Sequence, residues 1–262
     1  MSTIPTAPRQ TPGPRPTRQR LDLLMVERGL VPSRERAHAL IMARDVLVDG
    51  MPATRPAAPV ASDANVVVRQ PAAYASRGGD KLAGALSASG LDIAGRRCLD
   101  LGASTGGFTD CLLQHGAAHV VAVDVGYGQI VPRLRDDPRV EVRERTNARA
   151  MPMLETPVSL VTIDVSFISL TLVLPPAIGS LAPGGDILAL VKPQFEAGRD
   201  EVGKGGVVRD ARVHAACVAR VALWSIAHGL RVRGVFRSPL TGPAGNIEFF
   251  IWLQKLQSAG VE

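Results

Sequence analysis

Only four lysines stand beside 26 arginines in this 262-residue chain. Where arginine fills nearly every basic position, a retained lysine marks a site that needs an amine able to lose its proton. The four are Lys81, Lys192, Lys204 and Lys255. Lys192 directly follows an apolar run, Asp186–Val191, and Lys81 sits in Ser76-Arg-Gly-Gly-Asp-Lys81, read as leading into a helix. Two acids hold comparable places: Asp164 ends the run Leu160–Asp164, and Glu248 opens Glu248–Leu253. In a doubly wound sheet the carboxyl ends of the strands form the ligand-binding edge. Asp164 and Lys192 reach that edge by position, whereas Lys81 and Glu248 would have to reach it through packing. Amines and carboxylates brought together suit proton transfer at a weak nucleophile.

A second chemical feature is the loop Asp100-Leu101-Gly102-Ala103-Ser104-Thr105-Gly106-Gly107-Phe108. It follows a buried apolar strand and opens a helix over Gly107–His115. The glycines permit a tight turn and close approach of backbone to a ligand, and the free amides of the helix start suit a carboxylate. Some twenty residues on, Asp124 ends the next strand, where an acid can accept ribose hydroxyls. Both dinucleotides and S-adenosylmethionine use this geometry. The spacing GxxxGG lacks the close glycine pair that cradles a pyrophosphate and tilts the choice toward S-adenosylmethionine. The expected cofactor contacts are Asp100, Gly102–Phe108, Asp124, Val125, Asn147 after the third strand, and Asp164. Phe108 either packs beside Asn147 or fills the core.

The elements that must position these residues alternate strand and helix. Strands are expected at Cys98–Gly102, His119–Asp124, Val140–Arg143, Leu160–Asp164, Asp186–Val191, Leu230–Val235 and Glu248–Leu253, with a long helix over Val213–His228. Apolar runs alternating with helices imply a largely parallel sheet covered on both faces, an α/β doubly wound, Rossmann-like architecture. Before it lies a smaller α+β unit. It has a helix at Leu21–Arg28 stopped by Gly29, a second helix N-capped by Ser33, a strand Val46–Val48 ended by Asp49-Gly50, and a strand at 65–69. The division is therefore a basic tail at 1–17, read as disordered, a small domain at 18–69, a linker at 70–75, the large domain at 76–256 and a tail at 257–262.

Composition excludes several classes. With 46% hydrophobic and 21% charged residues the chain reads as an ordinary globular protein, and a net charge of +6 permits a polyanionic partner. Three scattered cysteines without CxxC spacing argue against zinc and disulfides and fit a cytoplasmic setting. The five histidines form no ligand cluster, so no metal is inferred. Val165–Gly185 is uncharged and nearly long enough to span a bilayer, but its prolines fit a helix–loop–strand passage better.

The small unit, with Arg20–Leu30, Ser33-Arg-Glu-Arg36 and Val46–Gly50, resembles the S4 RNA-binding domain. That resemblance implies contacts to structured RNA from Arg20, Arg34 and Arg36. Arg44-Asp45 departs from it, since the family has a glycine ending the second helix there, and a non-glycine residue is then expected in a left-handed conformation at modest cost. Lys81, Asp164, Lys192 and Glu248 match in order and context the K-D-K-E tetrad of FtsJ/RrmJ-type ribose 2′-O-methyltransferases. Together with Ser104–Phe108, Asp124–Gly128, Glu144–Asn147, Val191–Glu196 and Gly205–Val208, the chain over residues 20–254 resembles the TlyA, or haemolysin A-like, rRNA methyltransferase family. The resemblance implies cytidine 2′-O-methylation in ribosomal RNA. In that reading Lys192 is the base, Lys81 places a second cation beside it and orients the hydroxyl, and Asp164 and Glu248 hold the two amines. Lys204 and Arg209, in the Gly-rich segment 196–209, would touch RNA phosphates from a lid or simply lie on a mobile loop. The alternatives are a non-catalytic RNA-binding assembly factor and a membrane-active haemolysin.

Overall fold

The computed structural model describes residues 17–69 and 72–257; most of the 1–17 tail, the start of the linker and the end of the 257–262 tail lie outside them. The chain divides into two compact units, before and after residue 71.

The first unit runs β1 (Arg18–Arg20), α1 (Leu21–Glu27), α2 (Arg34–Met42), β2 (Val46–Val48), β3 (Met51–Pro52), β4 (Pro59–Ala61) and β5 (Val66–Val68). Helix α1 ends as expected at Gly29: its N–H bonds the Val26 carbonyl and the Leu30 N–H bonds that of Met25. Ser33 caps α2 by accepting the Arg36 N–H at 3.3 Å. The same closure ends α2, with Arg44 and Asp45 bonding Ile41 and Leu40. Arg44 takes the left-handed position at φ 63°, the small strain anticipated from the missing glycine. Asp49 and Gly50, both at positive φ, turn β2 into β3. Leu21, Leu24, Met25, Ala37, Ile41 and Val46 pack as the core of this unit.

The second unit runs α3 (Arg77–Ser89), β6 (Arg97–Leu101), α4 (Gly107–Gln114), β7 (His119–Val123), α5 (Pro132–Arg135), β8 (Val140–Arg143), β9 (Val158–Ile163), α6 (Leu170–Ser180), β10 (Leu181–Val191), α7 (Pro193–Glu196), α8 (Ala211–Ala227), β11 (Leu230–Arg237) and β12 (Phe249–Lys255). The seven strands order β11-β12-β10-β9-β6-β7-β8. β6 to β10 are parallel, while β12 runs antiparallel between β10 and β11. Apolar residues on both faces explain why the strands read as continuous runs. Leu99, Leu101, Val121 and Val123 meet Val173, Leu174 and Val221 on one side. Cys98, Val120 and Ala122 meet Leu82, Leu112 and Phe108 on the other.

Two expectations need correction. Lys81 does not precede a helix; it lies within α3, which starts at the N-cap Ser76. The Gly78-Gly79 pair looks like a breaker, but Gly79 is there because a Cβ would collide with the Tyr74 ring. The Val165–Gly185 stretch has no loop between helix and strand. α6 carries Pro175 and Pro176 within it and passes straight into β10. The expected break is instead a register shift between Leu181 and Asp186, around Pro183-Gly184-Gly185. Among the described residues no helix is long and apolar enough to cross a membrane.

Candidate active site

The site lies where β6 and β9 diverge, at the switch point of the sheet. Gly102 leaves β6 at φ 87°, and a Cβ there would stand 2.5 Å from the Asp164 carbonyl oxygen. Ser104, at φ 49°, turns the loop again. Asp124, just past β7, clasps this turn: Oδ2 accepts the Ser104 N–H at 2.8 Å and Oδ1 accepts the Gly126 N–H at 2.6 Å. Beside it opens a cavity of about 360 Å³ whose walls include Gly102, Ser104, Asp124, Val125, Asn147 and Asp164. A second recess of about 350 Å³ is lined by Ser76, Lys81, Ala103, Thr105, Gly107 and Phe108, and shares Gly102, Ser104 and Asp164 with the first.

Of the expected cofactor contacts, Gly106 and Asp100 stand apart from these walls, and Phe108 only edges one of them. Gly106 faces inward, where a Cβ would collide with Leu134. Phe108 edges the second recess but is buried and stacks on Phe250, with ring centroids 6.0 Å apart, so it fills the core and is not beside Asn147. Asp100 is fully buried beneath the loop, accepting hydroxyls from Thr109 at 2.7 Å and Thr162 at 3.1 Å. Alternation along β6 turns it toward α4, away from either cavity.

Burial pushes the Asp100 carboxyl up to about 7, against the two hydroxyl bonds that lower it. The linkage sign follows from that direction. Between about pH 4 and 7 the unfolded chain loses a proton that the folded chain keeps, so this group removes stability as pH rises. Asp100→Asn keeps the shape without the charge. Relative to the parent it should gain stability progressively from pH 4 to 7.5, by a few kcal/mol at most, in urea unfolding followed by the emission of Trp224 and Trp252. A difference independent of pH would contradict the assignment.

The four chemistry-bearing residues form two ion pairs, buried except for a partly exposed Asp164. Lys81 Nζ lies 2.6 Å from Glu248 Oε2, and Lys192 Nζ lies 2.6 Å from Asp164 Oδ1. The first pair is a true hydrogen bond. The second is ionic without hydrogen-bond alignment, leaving Asp164 Oδ1 otherwise unpartnered. Lys192 Nζ also donates to Ser166 Oγ at 2.9 Å. Strand direction explains how Glu248 arrives. Residues following parallel strands lie at the carboxyl edge, and so does a residue preceding an antiparallel one. With Val191 registered against Phe249, Lys192 and Glu248 meet across the β10–β12 boundary. Lys81 comes from the second turn of α3, which packs over the same face.

Several contributors carry no signature in the sequence. Ser166 is an ordinary serine two residues past Asp164. Gln129 accepts the Ser104 hydroxyl at 3.3 Å and joins the first cavity wall. Arg77 donates to the Thr241 carbonyl at 3.1 Å and lines the second recess. Buried Asn246 donates to Gly206 O at 2.8 Å and accepts the Val208 N–H at 2.9 Å. It thereby pins the end of the Gly-rich 196–209 segment. Lys204, in the turn closed by Gly203 and Val207, and Arg209, before the α8 N-cap Asp210, are both exposed and line neither cavity.

In the first unit, Arg20 ends β1 and is the N-cap residue of α1. Its guanidinium grips buried Asp22 at 2.8 and 3.0 Å, and Arg34 and His38 reach the same carboxylate at 3.2 and 3.0 Å. The Arg20 bond is the main reason this carboxyl is held well below the usual range. Arg36, between Arg34 and His38 in α2, stands exposed and makes no contact with Asp22. One acid of α1 thus gathers side chains of β1 and α2 while leaving Arg20 and Arg34 half exposed. Among the described residues there is no His, Cys, Asp and Glu group fit to hold a metal, and all three cysteines are buried and free.

Comparison with known proteins agrees with this division. A family model described as FtsJ-like methyltransferase matches residues 74–255, and one described as S4 domain matches residues 19–66. The chain is 52% identical, over 90% of both proteins, to a Mycobacterium tuberculosis protein named 16S/23S rRNA (cytidine-2′-O)-methyltransferase TlyA. It is 40% identical to a Brachyspira hyodysenteriae protein named Hemolysin A, over 88% of this chain and 97% of that one. A solved structure from Streptococcus thermophilus, described as a candidate hemolysin, superposes with a TM-score of 0.71 at 40% identity, covering 92% of this chain and 90% of that one. The chain belongs to the FtsJ-like methyltransferase family, in the TlyA group that carries an S4 domain ahead of the methyltransferase domain.

Proposed function

We propose that the chain transfers a methyl group from S-adenosylmethionine to the ribose 2′-hydroxyl of a cytidine in ribosomal RNA. The observation that carries this reading is the convergence of Lys81–Glu248 and Lys192–Asp164 on the edge beside Gly102. The cofactor fits the donor set. Each Asp124 oxygen has one backbone donor, and a carboxylate has about four acceptor positions, so two remain for vicinal hydroxyls. Gly102 lets the chain pass close beneath the ligand, and Val125, Asn147 and Ile168 flank the first cavity. When bound, S-adenosylmethionine supplies an activated methyl on a sulfonium.

The rest falls to the chain. Lys192 Nζ accepts the proton of the 2′-hydroxyl as the oxygen attacks. Asp164 and Ser166 hold that amine in place. Lys81, anchored by Glu248, donates to the acceptor oxygen and keeps it in line. Buried amines with their own carboxylates need no solvent reorganisation during the step, so catalysis is chiefly positioning. In the first unit Arg20, Arg34 and Arg36 contact RNA phosphates, and in the second Lys204 and Arg209 do so outside the cavities.

The test is incubation of ribosomal subunits from cells lacking the modification with purified protein and labelled cofactor. Label should enter rRNA as 2′-O-methylcytidine. Label on a base nitrogen or carbon, or none in RNA, would overturn the reading.

A further inference from the structure

We propose that Ser166 is a positioning residue for methyl transfer: its hydroxyl, with Asp164, fixes the orientation of the Lys192 amine, and Glu196 is the buried staple holding the Ser166 loop in place. The proposal rests on the reading of Lys192 as the base.

A neutral lysine amine has two N–H groups and one lone pair, free to rotate about the Cε–Nζ bond. Only the rotamer that aims the lone pair at the acceptor hydroxyl is productive. In this site one N–H of Nζ is taken by Ser166 Oγ at 2.9 Å, while Asp164 Oδ1 stands 2.6 Å away as an ionic neighbour without hydrogen-bond alignment. The lone pair is left for the substrate. Asp164 alone draws the amine close but leaves it free to turn; the directional bond to Ser166 removes that freedom. It acts through Lys192.

The loop is built to aim this hydroxyl. Phe167, the next residue, sits at φ 64°, a conformation that a bulky side chain adopts only when its surroundings impose it. The kink sends the Phe167 ring outward, 90% exposed, and leaves Ser166 beside Lys192. The loop is anchored a few residues on. Buried Glu196, from α7, accepts the Ser169 hydroxyl and the Leu170 N–H, both at 2.7 Å, at the start of α6. Both carboxylate oxygens are thereby spent on the loop that follows β9. Lys192 and Glu196 bracket α7, so one short segment carries both the base and the clamp for the base's orienting partner.

The experiment measures single-turnover methylation of unmodified ribosomal subunits by the full chain, with KM for S-adenosylmethionine determined separately. Ser166→Ala should lower the rate about 3- to 10-fold, as loss of one hydrogen bond predicts, with KM unchanged. Ser166→Thr, which keeps the hydroxyl, should restore most of it. Glu196→Gln should lower the rate similarly, and the double variant should be no slower than Ser166→Ala, because Glu196 acts through Ser166. An unchanged Ser166→Ala rate, a loss appearing in KM alone, no rescue by threonine, or multiplicative effects in the double variant would each overturn the proposal. Lys192→Ala measured alongside separates the two ideas. If it stays active the base assignment falls; if it is inactive while Ser166→Ala matches the parent, only the Ser166 role falls.

Discussion

Replacing Lys192 with alanine is expected to slow methyl transfer about 10²- to 10⁴-fold, the usual contribution of a positioned general base. Cofactor binding, measured by calorimetry, should change less than about 3-fold, since Lys192 lies outside the walls of the first cavity. The alanine variant alone leaves two explanations open, because it also strands Asp164 without its cation. Lys192→Arg separates them. Arginine keeps the positive charge and can still pair with Asp164, but it does not give up its proton at any accessible pH. A dead arginine variant with intact fold and cofactor binding assigns Lys192 the proton transfer. An active one would show that the position needs only charge, and the base would have to be sought elsewhere in the cluster.

The second large effect is expected at Gly102. An alanine there meets the carbonyl oxygen of Asp164 at 2.5 Å, and backbone cannot give way as a flexible side chain can. It would also hold an L-residue at φ 87°, at a cost of about 1–2 kcal/mol. The strain is relieved by parting β6 from the segment after β9, which moves Asp164 away from Lys192 and widens the floor of the cavity. A displacement near 1 Å costs about 10²-fold in rate. Gly102→Ala should therefore lose both cofactor affinity and turnover, whereas Lys192→Ala loses turnover alone. Normal binding by the Gly102 variant would mean that the loop relaxes elsewhere.

What could be read from the residues alone divides by distance along the chain. Asp124, Asp164 and Lys192 were legible because each ends an apolar run, and strand ends in an α/β sheet share one edge. The S4-like unit was legible for the same local reasons, down to the left-handed Arg44. Lys81 reads as preceding its helix because Gly78-Gly79 imitates a breaker, and only the Tyr74 ring folded back against Gly79 shows why glycine is needed. Glu248 could not be brought to the site by pattern, since its arrival depends on β12 running against its neighbours. Asp100 looked like a ligand residue because it stands in the loop motif, but the pleat of β6 turns it inward to Thr109 and Thr162. Ser166, Gln129 and Asn246 act through contacts that no spacing announces.

The direction of β12 also sets when the protein can begin to work. Lys81 and Glu248 are partners across 167 positions, joining the first helix of the methyltransferase domain to its last strand. β12 is not an edge strand added at the finish; it sits between β10 and β11. During synthesis the parallel strands and the Gly102 loop can form while the ribosome still holds the end of the chain. The acceptor side of the site stays unassembled until β12 emerges and inserts, because such distant contacts are made late. A nascent chain on a translating ribosome is surrounded by rRNA, the polymer it is proposed to modify. The fold keeps the acceptor side incomplete there until β12 has been made and inserted.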